Sequence, residues 1–186
     1  SIKTSGFSRT FNFYLMWDFP FKTSPKLSVA LGPGIATDNV FLDKMTAGIA
    51  GNTTKVVFKN VADTLHFKKY KLATSFLELP VELRFSSNPD ADGKSFKVAL
   101  GAKVATMLAA WVKGKTLQNR GGTAVNDYIL KEKSKKFFNT TRISAIGRIG
   151  YGHFSVFGSY SLTPLFKEGL GPKMNAMSIG LTISGL

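Results

Sequence analysis

Leu77, Leu79, Val81, Leu83 and Phe85 alternate with Glu78, Pro80, Glu82 and Arg84 without a break. A β-strand sends successive side chains to opposite faces, so this segment carries one apolar wall and one charged wall. In a soluble sheet the apolar wall packs on the core and the charged wall meets water. In a transmembrane barrel the assignment inverts, with apolar residues against lipid and charged residues in the lumen.

The same period of two recurs along the chain. Phe11, Phe13, Leu15, Trp17 and Phe19 oppose Asn12, Tyr14, Met16 and Asp18. Leu27, Val29, Leu31, Pro33 and Ile35 oppose Ser28, Ala30, Gly32, Gly34 and Ala36, a face made wholly of small residues. A narrow barrel needs such a face where bulkier side chains arrive from other strands. Further strands are predicted over about 72–86, 95–113, 138–151 and 154–162, with a last one around Met177 to Ser184. In the longest, the even positions from Phe96 to Val112 are expected on the apolar face, and Lys97, Gly101, Lys103, Met107, Trp111 and Lys113 on the other.

Three features favour the membrane over a soluble sandwich or barrel. The connections alternate between short and long, as periplasmic turns and extracellular loops do in outer-membrane barrels. Trp17, Phe19, Phe85, Phe96, Tyr151 and Phe154 flank the short turns on the apolar face, where an interfacial aromatic girdle belongs. The opposite face carries Asp18, Glu78, Glu82, Arg84, Lys97, Lys103, Arg142 and Arg148. These are expected to form a polar network in the lumen, because an eight-stranded barrel is just wide enough for its own side chains to fill. Glu78 and Glu82, facing Lys97, Lys103, Arg142 and Arg148, are the expected centre. Each strand also supplies the roughly 9–11 residues that a tilted crossing needs.

Seven strands are clear, and barrels of this kind have even numbers. The expected fold is therefore an all-β, transmembrane, antiparallel up-and-down barrel of eight strands. Its first strand is expected upstream of Ser1, with residues 1–9 left from an outer loop. One domain covers 1–186, with long basic extracellular loops at about 38–71 and 114–137. The chain opens at Ser1 without Met or a signal-peptide pattern, as a processed form would.

Composition sharpens the picture at one point. The 186 residues carry 25 Lys and Arg against 11 Asp and Glu, a net charge of +14. Much of the excess lies in the predicted outer loops: Lys55, Lys59, Lys68, Lys69, Lys71, Lys113, Lys115, Arg120, Lys131, Lys133, Lys135 and Lys136. Lipopolysaccharide phosphates lie at that height and pair with Lys and Arg, so these are candidate contacts to lipopolysaccharide or to a partner protein. Nucleic acid is not an expected partner, since the aromatic residues fall on the lipid face and not among these lysines.

Phe76 to Phe85, reading FLELPVELRF, resembles the Glu-Leu-Pro strand of PorT-like outer-membrane β-barrel proteins of Bacteroidota. The Arg148–Gly152 hairpin, Leu162 to Phe166 and the tail from Ser178 to Leu186 also fit that family. The resemblance implies an eight-stranded barrel in the bacterial outer membrane, working beside other outer-membrane or periplasmic proteins. Leu186 stands where proteobacterial barrels end in an aromatic residue.

Chemistry-bearing motifs are sparse. With no Cys there is neither a disulfide framework nor a thiolate metal site. Asn88 to Gly93 imitates the start of a calcium loop, but position twelve would be Ala99 in place of a bidentate Glu. His66 and His153 fall at opposite ends of the barrel, so no triad uses both. No catalytic residue, cofactor or metal is expected. The expected role is a non-enzymatic accessory or structural subunit of a larger outer-membrane complex for secretion, gliding or barrel assembly. A free-standing small pore or adhesin is the alternative, and a lipid-A-modifying enzyme the third reading.

Overall fold

The computed structural model describes residues 8–50, 53–90 and 92–183. Most of the expected leading loop, part of the Asn88–Lys94 turn and the end of the tail lie outside the described residues. Twelve strands follow in order: β1 (Arg9–Tyr14), β2 (Trp17–Phe21), β3 (Ser24–Leu31), β4 (Gly34–Leu42), β5 (Met45–Gly48), β6 (Val57–Asn60), β7 (His66–Ser86), β8 (Phe96–Gln118), β9 (Ala124–Lys133), β10 (Thr141–Tyr151), β11 (Phe154–Ser161) and β12 (Met177–Ile183).

Strands β1 and β2 are two halves of one interrupted stave, as are β3 and β4. Arg9 to Tyr14 pair with Asn39 to Gly34, and Trp17 to Pro20 with Leu31 to Ser28. The interruption is bridged by the Leu15 amide, which donates to the Pro33 carbonyl at 2.9 Å. From there the sheet runs antiparallel through β7, β8, β10, β11 and β12. Seven staves are paired, and β1/β2 and β12 are its edges among the described residues. Thr10 and Ser178, from these two edges, line one small cavity, so the edges face each other across a seam.

The exposed face is the apolar one. Leu77, Leu79, Val81 and Leu83 are each about half exposed, while Glu78 and Glu82 on the same strand are buried. A soluble protein does not present such a continuous aliphatic wall outward. Lipid covers it in a barrel. The small-residue face points inward, with Ala30, Gly32, Gly34 and Ala36 all buried.

Two expectations change. The span 38–71 is not one loop, because β4 runs to Leu42, β7 begins at His66, and β5 and β6 form a hairpin between them. Nor is 114–137 a loop: β8 continues to Gln118 and β9 returns beside it. Both strands of the β7–β8 hairpin therefore stand well above the aliphatic belt. The second change follows from a bulge. Ser75 pairs with Ala109 but Phe76 with Met107, so Leu108 is an extra residue in β8. One inserted residue inverts the alternation beyond it. Below the bulge Lys103, Ala105 and Met107 point inward, whereas above it Ala110 and Val112 do, each fully buried. Ala110 and Val112 thus leave the predicted lipid face.

Above the barrel the three long connections condense into an apolar cap. Phe137, Phe138 and Ile49 are fully buried, with Val56, Phe67, Tyr70 and Phe166 around them. Phe166 packs against Phe138 at 5.0 Å and Phe58 at 5.9 Å between ring centroids. Backbone bonds knit the loops together: Val56 donates to the Leu170 carbonyl at 2.8 Å and Lys167 to the Phe137 carbonyl at 3.0 Å. The Asn139 amide donates to the Pro164 and Phe166 carbonyls at 2.7 and 2.9 Å.

Candidate functional site: the lumen and its mouth

Glu78 of β7 is on the inward face with its side chain fully buried. It sits opposite Gly34, whose missing Cβ matters: a Cβ there would come within 2.0 Å of the Tyr14 ring. The space lets Tyr14 lie across the small-residue face and donate to Glu78 Oε2 at 2.5 Å. Lys103 Nζ donates to the same oxygen at 3.0 Å, and Arg142 Nη2 donates to Oε1 at 2.7 Å. The other arm of Arg142 donates to Asp38 Oδ2 at 2.5 Å. Its guanidinium also lies 3.8 Å from the centroid of the Phe76 ring, where the polar lumen meets the apolar cap.

A second cluster lies nearer the short turns. Glu82 Oε2 accepts from Arg84 Nε at 2.8 Å and from Arg148 Nη2 at 2.5 Å. Arg84 Nη1 reaches Asp18 Oδ2 at 2.5 Å, and the Ser28 hydroxyl donates to Asp18 Oδ1 at 3.0 Å. Each cluster holds two carboxylates and two cations, so each is neutral as a unit. Neutrality within each unit is what a buried network requires, because an unpaired charge here would carry its full desolvation cost. The upper cluster is the drier one, since the Asp18 side chain is 48% exposed whereas that of Glu78 has no exposure.

Seven of the eight network residues expected from the sequence fall in these two clusters, Glu78, Lys103 and Arg142 in the upper and Asp18, Glu82, Arg84 and Arg148 in the lower. Lys97, the eighth, is also partnered and lines a wider open space of about 720 Å³ at the short-turn end, together with Asp18, Arg84 and Arg148. Two further members lie outside the expected set: Asp38, which stands on β4 and not in a loop, and Tyr14, from the polar face of β1. Tyr14 shares the polar face with Met16 and Asp18, two and four residues on, opposite the small-residue stripe. A separate cavity of about 10 Å³, close to the room one water needs, lies against Lys103, Arg142 and Asp38. The apolar cap lies beyond it.

The girdle residues are all exposed, from 39% for Phe85 to 68% for Phe154. Phe96, Tyr151 and Phe154 form one cross-strand row. On β2, however, Phe21 is nearest the short turn, and Trp17 sits four residues inside it, paired with Leu31.

The basic loop residues divide. Lys69, Lys71, Lys113, Lys115, Lys131 and Lys133 stand on the outward face of the β7–β8–β9 extension. Lys135 Nζ donates to the Met107 carbonyl and Lys136 Nζ to the Thr53 carbonyl, each at 3.4 Å, so these two help tie the cap. Arg120 pairs with Asp63 at 3.5 Å on the surface. Lys55, Lys59 and Lys68 are exposed about β6 and the start of β7. His66 is buried, its Nδ1 3.1 Å from the Thr64 carbonyl of its own turn. No cluster of three metal-ligating side chains occurs among the described residues.

Among the described residues no helix is long and apolar enough to cross a membrane. Searches among curated proteins and among solved structures return no match. A family model described as outer membrane protein beta-barrel domain matches residues 1–167. With the outward aliphatic wall and the charged lumen, that match places the chain in the outer membrane protein beta-barrel domain family, as an integral protein of the bacterial outer membrane.

Proposed function

We propose that this protein is a closed, non-enzymatic barrel that serves as an accessory or structural subunit of a larger outer-membrane complex. The observation that carries this reading is the lumen: two charge-neutral clusters cross it above the open short-turn end and an apolar cap covers its outer mouth. A barrel that conducts nothing works through its surfaces, and the folded cap and the β8–β9 hairpin are the surfaces it offers. The likeness of Phe76–Phe85 to PorT-like proteins of Bacteroidota points the same way, toward machinery for secretion, gliding or barrel assembly.

A pull-down from native membranes in mild detergent, followed by mass spectrometry, tests the reading. A stoichiometric set of envelope proteins is the expected result, and a barrel recovered alone would overturn it. A surface adhesin is the second reading, favoured by one feature: Val125, Tyr128 and Ile129 stand exposed on β9, at the far edge of the extension.

A further inference from the structure

Strand register aligns lysines across three neighbouring strands. Lys71 of β7 is directly opposite Lys113 of β8, which is directly opposite Lys131 of β9. One step outward Lys69 is opposite Lys115, and one step inward Lys133 is opposite Trp111. All six lysines lie on the outward face, because the Leu108 bulge turns the odd residues of β8 outward beyond it. Like charges directly opposite one another destabilise a sheet. Among the described residues none of the six forms an ion pair. Lys71 meets only the neutral amide of Asn39, at 2.7 Å, and Lys131 lies over the Trp111 ring at 5.9 Å. Glu132, their nearest neighbour in sequence, pairs with Val112 on the opposite face.

The position of the row matters as much as its charge. Lys71 lies six residues past Leu77, where the exposed aliphatic wall of β7 ends. With strand rise reduced by barrel tilt, that is roughly 15 Å above the belt. Lys133 and Trp111 are nearer, and a lysine stem is long enough to span part of the remaining distance. Trp111 marks the border, as aromatic residues do at a headgroup layer.

We propose that this lysine ladder is a binding surface for the phosphate groups of a glycolipid of lipid-A type in the outer leaflet. The lipid supplies the missing counter-charges, and its acyl chains continue onto the aliphatic wall below. The contact is independent of whether the barrel belongs to a complex.

The test uses the purified full chain in zwitterionic detergent, with diphosphoryl lipid A, its dephosphorylated form and phosphatidylglycerol as separate probes. Adducts are counted by native mass spectrometry and thermal midpoints are followed. A variant carrying Lys71→Gln, Lys113→Gln and Lys131→Gln is compared with one carrying Lys55→Gln, Lys59→Gln and Arg120→Gln, which removes equal charge elsewhere. The expected result is preferential binding of the diphosphoryl form, weakened at least tenfold in the ladder variant alone. Without lipid, the ladder variant should melt at or above the parent, since it relieves repulsion. Equal binding of the dephosphorylated lipid, or equal loss in both variants, would overturn the proposal. So would a parent that ignores all three lipids, including one whose ladder holds an acidic protein instead.

Discussion

Glu78→Gln isolates the contribution of the lumen network. The substitution keeps the size of the side chain and removes its charge. It leaves Asp38 facing both Lys103 and Arg142, so a neutral buried unit becomes one with a net charge of +1. Three donors now converge on Glu78, at 2.5, 2.7 and 3.0 Å, and its side chain has no solvent exposure. Breaking a buried pair on one side costs about 3–5 kcal/mol. For a domain of this size each kcal/mol moves the midpoint by about 2–4 °C, so a fall of about 6–20 °C is expected. The assay is thermal unfolding in detergent micelles followed by circular dichroism, repeated as a urea titration. The double variant Glu78→Gln with Lys103→Gln restores neutrality, since Asp38 and Arg142 remain paired. It should be less destabilised than the sum of the two single variants, with a coupling of about 1–3 kcal/mol. A Glu78→Gln protein within about 0.5 kcal/mol of the parent, in the range of an ordinary surface change, would refute the reasoning.

The remaining predictions concern the cap. Phe138→Ala empties a fully buried site against Phe166 and should cost about 3–5 kcal/mol of cap stability. Hydrogen exchange should then rise at Val56 and Asn139, whose amides bridge the loops, and stay unchanged in β10 and β11. Tyr70, above the membrane belt, donates to the Ala47 carbonyl at 2.9 Å, and burial pushes its phenol up to about 12. Its proton is held more tightly folded than unfolded, so the cap keeps this stability below pH 10 and loses it as the pH rises toward 12. Exchange in the β5–β6 hairpin should therefore rise across that window, and Tyr70→Phe should flatten the dependence.

The barrel staves were legible because lipid and lumen impose a strict period of two, and β7 carries it through nine residues from Leu77 to Phe85. The inward face was legible as well, since charged residues on one side of a strand have few places to go. The cap was not. Phe137 and Phe166 stand in segments that read as loop, and Phe138 heads a predicted strand that begins only at Thr141, so no period announces them. The Leu108 bulge was equally hidden, because β8 reads as continuous alternation on either side of it. Only the pairing of Ser75 with Ala109 and Phe76 with Met107 shows where parity changes. Asp38 was lost for a related reason: β4 continues past the apolar run that defined it, as its residues turn polar on entering the lumen network.

The central claim is that the apolar wall faces lipid and the charged wall fills the lumen. The chain has no native Cys, so single cysteines can be placed cleanly. We would label positions 77–85 of β7 and 100–113 of β8 one at a time, reconstitute the protein in bilayers, and measure quenching by a lipid-soluble reagent. Quenching should alternate, high at Leu77, Leu79, Val81 and Leu83 and low at Glu78 and Glu82. In β8 it should be high at even positions up to Leu108 and low at Ala110 and Val112. Protection of the odd β7 positions with exposure of the even ones to water would contradict the account, because the apolar wall would then be a soluble core.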